Sequence, residues 1–289
     1  AQLPGLNRYW GEQPFTVGPV YVGALVCFLF ILGLFLVRGP VKWALLFSTV
    51  LSFLFAWGHN DAWFTNFCID YLPMYNKFRT PSSALVVAEL AMPLLAVLCI
   101  ARIIKNPGEL LKSHRGRTGL VAATLLTVLP CLVLAVWPSA AGDCLSSQDT
   151  QILDSLASGL GTDFILHYRS AISTLHHGIM SASAWRSLVI ILLGAACIFG
   201  YIWSRRTEDA PVRSGVKGAV LCGLLLLICT IDLWSINRRY LNDDSFTDPV
   251  ALKQLQPTPA DQVILKDKSD YRVLNFSEGN PFNETSNRT

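Results

Sequence analysis

The chain has 289 residues, of which 52% are hydrophobic and 15% charged, with a formal net charge of +3. Soluble domains carry roughly 25% charged residues, so this composition excludes an ordinary soluble protein and points to a membrane one. A net charge this small carries no signature of a nucleic-acid partner.

Taken in order, residues 1–16 are polar and turn-rich, with Tyr9, Trp10 and Phe15 suited to a membrane interface. The first apolar run covers about 17–37, and the turn after it, Arg38-Gly39-Pro40-Val41-Lys42, is basic. Further runs cover about 43–57, 83–104, 119–137, 184–203 and 216–234. Each approaches the ~20 residues a helix needs to cross ~30 Å of hydrocarbon. None alternates as a barrel strand would, so the expectation is an all-α polytopic bundle of about six transmembrane helices. The connections after the first, third and fifth runs are rich in Lys and Arg: Arg38 and Lys42, then Lys105, Lys112, Arg115 and Arg117, then Arg205, Arg206, Arg213 and Lys217. Basic connections stay cytoplasmic. The two longer connections, 58–82 and 138–183, and both ends of the chain are therefore expected outside.

These outer connections carry helical patterns of their own. Phe64, Phe67, Cys68 and Tyr71 recur at i, i+3, i+4, i+7, the spacing of one helix face. Pro73 ends that segment. Ile152, Leu153, Leu156 and Leu160 make a second stripe, and Phe164, Ile165, Tyr168, Ile172 and Leu175 a third. Such helices either pack on the membrane face of the bundle or roof a cavity above it. After Tyr240 the sequence reads as a linker with one short helix, and Gln262–Leu265 and Tyr271–Phe276 read as two short strands. The expected division is a transmembrane domain over 1–240 and, over 241–289, a linker with the opening of an extracytoplasmic α/β or β domain that is cut off. With no initiator Met, and no basic leader or cleavage site before the first run, the chain reads as the C-terminal part of a longer protein.

Chemistry concentrates between Gly58 and Pro93. Thr80 and Pro81 suit the cap and first position of a helix. Arg79 then sits beside the free N–H groups of the third span, with Lys77 two residues earlier. A guanidinium beside a helix N-terminus is an anion site, and at a membrane surface the anion is a lipid phosphate; the plainer alternative is an Arg snorkelling at a span end. His59 and Asp61 follow the second span and are supporting polar candidates. Glu89 lies about two turns inside the third span, and Asp232 lies near the end of the sixth, with Arg238 and Arg239 beyond it. Ionisable groups at such depths are costly and are functional candidates; the plainer role is a polar contact between helices. Of eight cysteines, only Cys68 and Cys144 fall in the outer connections. They are either a disulfide joining those connections or two unpaired thiols. His176 and His177 are adjacent and point about 100° apart on a helix, a poor metal pair. No Cys/His spacing of a metal site is present.

Several stretches together look familiar: Tyr9-Trp10-Gly11-Glu12-Gln13-Pro14-Phe15-Thr16 leading into Gly18-Pro19-Val20-Tyr21; Leu72-Pro73-Met74-Tyr75-Asn76-Lys77-Phe78-Arg79-Thr80-Pro81-Ser82; Asp232-Leu233-Trp234 leading into Asn237-Arg238-Arg239-Tyr240-Leu241-Asn242; and Tyr271-Arg272-Val273-Leu274-Asn275 leading into Phe282-Asn283-Glu284-Thr285-Ser286. Through them the chain resembles the bacterial membrane protein YfhO family in its Bacteroidetes form, over essentially its whole length. That family is grouped with GT-C glycosyltransferases, which take a sugar from a polyprenyl-phosphate carrier on the outer face of the inner membrane. The resemblance implies membrane lipids, a polyprenyl-phosphate sugar and an envelope glycan acceptor as partners. No cofactor is evident, and a divalent metal is left open. The catalytic carboxylate of such enzymes lies in the first outer loop of the full protein, upstream of this chain, so the catalytic residue is unknown here. Arg79 would then stabilise the departing lipid phosphate. The main alternative is a non-catalytic scaffold or assembly subunit of an envelope complex. A transporter comes third, because no matched pair of broken, charged spans is present.

Overall fold

The computed structural model describes residues 20–77, 81–146, 150–151, 153–154, 162–205, 211–241, 246 and 259–268. It divides into two units, Ala1–Tyr240 and Leu241–Thr289. In the first unit α1 covers Ala24–Leu36, α2 Val41–Trp57, α3 Ala62–Tyr71, α4 Leu85–Lys105, α5 Glu109–Lys112 and α6 His114–Ala123. A π-turn, Thr124–Val128, joins α6 to α7, Leu129–Val136; the long α8, Thr162–Arg205, and α9, Pro211–Asn237, complete the unit. The second unit contains α10, Pro259–Ile264. No strand occurs among the described residues.

Among the described residues four helical segments are long and apolar enough to cross a membrane: Pro81–Lys105, His114–Val136, Ile165–Arg205 and Gly215–Asn237. The helix Val41–Trp57 and its continuation Ala62–Tyr71, turned by 95°, make a fifth if the bent pair counts as one span. The protein is thus a multi-pass helical membrane protein.

Three expectations change. The first run was expected to cross as one helix over about 17–37, but α1 has 13 residues, about 20 Å at 1.5 Å per residue. Gly23, with φ of 102°, breaks the helix at its start. The third outer stripe was expected as a separate helix, but it runs without a break into the fifth span, giving a helix of 44 residues. Between the two no proline intervenes, and a lone glycine, Gly178, costs only ~1 kcal/mol in a helix. Residues 262–264, expected in a strand, end α10 instead. Pro259 at the first helical position and Asp261 in the first turn favour that outcome. The second expected strand, Tyr271–Phe276, most of the second outer stripe and residues 1–16 lie outside the described residues.

The short α1 is the centre of the bundle. Leu25, Phe28, Leu29, Leu32 and Leu36 are at most 2% exposed. They pack with Ala96, Cys99 and Ile103 of α4, Ile191 and Ile198 of α8, and Leu221 and Leu225 of α9. A helix apolar on every side is a core helix, and the others surround it. Their outward residues, among them Phe47, Leu90, Leu126, Leu192 and Leu226, are exposed and form the surface for lipid. In lipid, association depends on close packing rather than on expelling water, so small residues sit at the contacts. A side chain at Gly119 would meet Phe35 at 2.7 Å, one at Gly33 would meet Leu95 at 3.0 Å, and one at Gly194 would collide with Leu25. The π-turn has a local cause as well. Pro130 cannot donate a backbone hydrogen bond and crowds the preceding turn, and a widened turn just before it relieves the clash.

One end of the bundle carries a charged clasp. Glu109 joins Arg38, after α1, at 2.9 Å and Arg102, on α4, at 2.8 Å. Lys42 Nζ donates to the Leu34 carbonyl at 2.6 Å, meeting a free carbonyl at the end of α1. Burial pushes the Glu109 carboxyl up, but the guanidiniums of Arg102 and then Arg38 beside it outweigh that, and the group is held below the usual carboxylate range.

Two outcomes follow. Gly194→Val lowers the thermal unfolding midpoint in detergent, by a cost of about 1–3 kcal/mol for overpacking, whereas Gly200→Val, on the same helix with no atom within 4 Å, leaves it unchanged; near-UV circular dichroism reads both. Because the folded carboxyl of Glu109 is depressed, its stabilisation is present above the ordinary Glu value of about 4.3 and is lost as pH falls through the folded value. Wild type therefore exceeds Glu109→Gln in stability at neutral pH, and the gap closes in acid.

Candidate functional site

The N-terminus of α1 lies inside the bundle, and the first N–H groups of a helix have no partner within it. No side chain at its own N-cap supplies one. The partner comes from α9. Asp232 Oδ2 accepts from the Ala24 amide at 3.1 Å and from the Tyr21 hydroxyl at 2.9 Å. The Ala24 amide also reaches the Tyr21 oxygen at 3.1 Å. Gly23 turns the chain so that this is possible, and its Cβ position would lie 3.6 Å from Asp232 Oδ2.

Asp232 is 1% exposed. A buried carboxylate is costly unless paired and hydrogen-bonded, and the cation comes from α8. Arg186 Nε lies 3.7 Å from Asp232 Oδ1, and Arg186 Nη1 donates to Ser235 Oγ at 3.2 Å. Ser235 in turn donates to the Asp232 carbonyl at 2.8 Å. The guanidinium also stands over the Tyr21 ring, 5.6 Å from its centre. Asp232 Oδ1 and Arg186 Nε make no hydrogen bond, so their attraction is purely ionic. Near by, Arg239 Nη1 donates to Ser183 Oγ at 3.4 Å. A carboxylate occupied by an amide, a phenol and a guanidinium is a fastener between α1, α8 and α9 rather than a free base.

Residues 58–77 and 81–84 form a folded cap at the ends of α2 and α4. Gly58, with φ of 51°, ends α2, and a side chain there would press on the Pro81 ring at 3.1 Å. Ser52 on α2 donates to the Ala84 carbonyl at 2.7 Å. The two ends of the connection are therefore in contact. Within it Asp61 caps α3, accepting from the Phe64 amide at 3.4 Å, and Phe55 stacks on Phe64 and Tyr75, with ring centres 5.3 and 5.9 Å away. Trp63, Tyr71 and Met74 are more than 70% exposed, as befits an interfacial helix. Lys77 ends a short 3₁₀ turn, Tyr75–Lys77, and is exposed. The backbone of His59 lies in the turn Gly58–Asn60. Arg79 and Thr80 lie outside the described residues. A 3₁₀ turn, Pro81–Ala84, opens the span where the sequence placed its start.

Glu89 is on the outward face of α4, exposed between Val86 and Leu90, and does not pair between helices among the described residues. Asp232 is paired, but with Arg186, not with Arg238 or Arg239. Cys68, buried, and Cys144 are free thiols; burial and then the neighbouring Asp143 push the Cys144 thiol up. His176 Nδ1 lies 2.7 Å from the Cys144 carbonyl and His177 Nε2 2.7 Å from the Gly142 carbonyl. A carbonyl only accepts, so both ring nitrogens carry the proton, and the pair ties residues 142–144 to α8. No cluster of metal-binding side chains occurs among the described residues.

No family model, curated protein or solved structure matches this chain. Tyr21 and Arg186 are the site residues that sequence reasoning missed. The available signal was two lone ionisable residues of opposite sign at matching ends of successive spans, Arg186 opening one and Asp232 closing the next. Asp232→Ala leaves Arg186 unpaired and α1 uncapped. The expected loss is about 3–5 kcal/mol, read as a lower unfolding midpoint in detergent, and adding Arg186→Leu restores part of it.

Proposed function

We propose that the chain is the membrane-embedded part of a GT-C-like, YfhO-type glycosyltransferase that uses a polyprenyl-phosphate sugar on the outer face of the bacterial inner membrane. In this reading the bundle makes six crossings, the first of them through α1. The Arg38–Glu109–Arg102 end is cytoplasmic, and both chain ends and the cap lie outside. The second unit opens an extracytoplasmic domain. Arg79, Lys77 and Thr80 receive the lipid phosphate.

The observation that supports this most is the contact of Gly58 with Pro81. It brings Gly58 and Pro81, the two ends of the connection that carries Lys77, into contact beside α2. Basic side chains beside a helix start at a membrane surface suit a phosphate. In the reaction the bond between the sugar anomeric carbon and the phosphate oxygen breaks, and the acceptor oxygen bonds that carbon. The acceptor proton passes to a carboxylate acting as base. Negative charge grows on the leaving phosphate, where a fixed guanidinium stabilises it.

In the full-length protein, Arg79→Ala is expected to lower transfer from a polyprenyl-phosphate sugar by about 10²–10³-fold at saturating donor, the scale for removing one fixed donor. Wild-type transfer would contradict the role. Copurification of a polyprenyl-phosphate sugar, read by lipid analysis, separates an enzyme from a scaffold.

One observation favours the second reading, an assembly subunit. Glu89 exposes a carboxylate on an otherwise apolar face of α4, where ionisable groups are costly unless covered. If a partner helix covers it, Glu89→Leu weakens association measured by in-membrane cross-linking; as a pure enzyme the variant keeps its oligomeric state.

A further inference from the structure

The end of the bundle that bears the Glu109 clasp also holds a cavity of about 340 Å³, lined by Pro107, Gly108, Leu111, Lys112, Ile202 and Arg205. Its two polar side chains of any reach are both cations. Arg205 Nε is buried and makes no hydrogen bond. A buried guanidinium nitrogen without an acceptor is costly, and an anion in the cavity would supply one. Glu109, at the same end of the bundle, cannot serve, because Arg38 and Arg102 hold its two oxygens at 2.9 and 2.8 Å. Glu208 and Asp209 lie outside the described residues. The Lys112 stem runs along Gly108, 3.6 Å from its Cβ position, which leaves the ammonium at the cavity. Leu111 and Ile202 make the remaining wall apolar.

We infer that this cavity binds a phosphate group, with Arg205 and Lys112 as its counter-charges and Leu111 and Ile202 against its ester substituent. Arg forms paired, planar hydrogen bonds to phosphate and Lys adds a point charge. The volume equals that of about ten waters at ~30 Å³ each, enough for a phosphodiester rather than a small ion alone. The site opens where α4 and α8 both end, at the bundle end with the basic turns, the depth at which anionic headgroups meet basic pockets between helices. It lies at the opposite end of α1 from the Asp232 fastener and does not depend on the glycosyltransferase reading.

Native mass spectrometry of the full chain in non-ionic detergent tests this with phosphatidylglycerol, phosphatidylcholine and inorganic phosphate as probes. The wild type should retain one phosphatidylglycerol at concentrations where phosphatidylcholine is lost. Lys112→Gln with Arg205→Gln should weaken that retention about thirty-fold, each cation near the surface being worth roughly a factor of five. Arg115→Gln, a basic position outside the cavity, should leave it unchanged. An equal melting temperature for the double variant shows that its fold is intact. Displacement of the lipid by millimolar inorganic phosphate assigns the site to soluble phosphates; resistance assigns it to lipid headgroups; both support the site. Equal retention by the double variant, or an equal loss in Arg115→Gln, overturns it.

Discussion

A helix that starts inside a membrane protein must have its first amide groups met by something other than water. This requirement shapes the chain. The α1 helix is 13 residues long, too short to span alone, and its N-terminus is received by Asp232 from α9, with Tyr21 beside it. The carboxylate serves three needs together. It accepts the free amide, compensates the positive end of the helix dipole, and pairs with Arg186. Non-helical backbone at membrane depth is tolerated where protein surrounds it, and Gly23, which is buried against Asp232, is enclosed in this way. The remaining helices pack around the result: α4 and α6 close on α1 through glycines, and α8 and α9 are held at its N-terminal end by the ionic contact.

The fastener and the clasp divide the labour along α1. Asp232 and Arg186 hold its start, and Lys42 meets the carbonyl of Leu34 near its end, where Glu109 also joins Arg38 to Arg102. The two polar clusters differ in kind. The first is nearly closed to solvent and depends on every partner being present. The second is reached by solvent through Arg38, which is 65% exposed, so that arm contributes little. A centre fixed at both ends is a rigid support for the helices packed around it.

Much of the architecture was legible in apolar runs alone. The spans at about 83–104, 119–137, 184–203 and 216–234 correspond to the four membrane-length helical segments of the structure, because runs of that length have few other solutions. Helix breaks were less legible. Gly23 ends helix formation only because Asp232, 208 residues from Ala24, rewards the break, and no local pattern reports that. The continuity of α8 was hidden by the opposite bias: polar residues from His176 to Ser183 look like a loop, yet their side chains bond carbonyls of residues 135, 142 and 144 and so tolerate a helix. In the site, Asp232 was visible as a charge at the wrong depth. Its partners were not, because Tyr21 lies inside one apolar run and Arg186 at the start of another, and no local pattern joins either to Asp232. Glu89 drew notice for the same reason as Asp232, yet it faces outward, since depth along a helix does not tell which side a residue faces.

The account stands on the coupling of α1 to α9 through one carboxylate. A double-mutant cycle between Tyr21→Phe and Asp232→Asn, with unfolding free energies measured in the same detergent, isolates it. Residues that share a hydrogen-bond network couple by roughly 0.5–3 kcal/mol, and the 2.9 Å bond between a phenol and a carboxylate predicts a value above about 1 kcal/mol. Additivity of the two substitutions to within about 0.3–0.5 kcal/mol would contradict the account, because it would mean that Asp232 does not hold the start of the central helix.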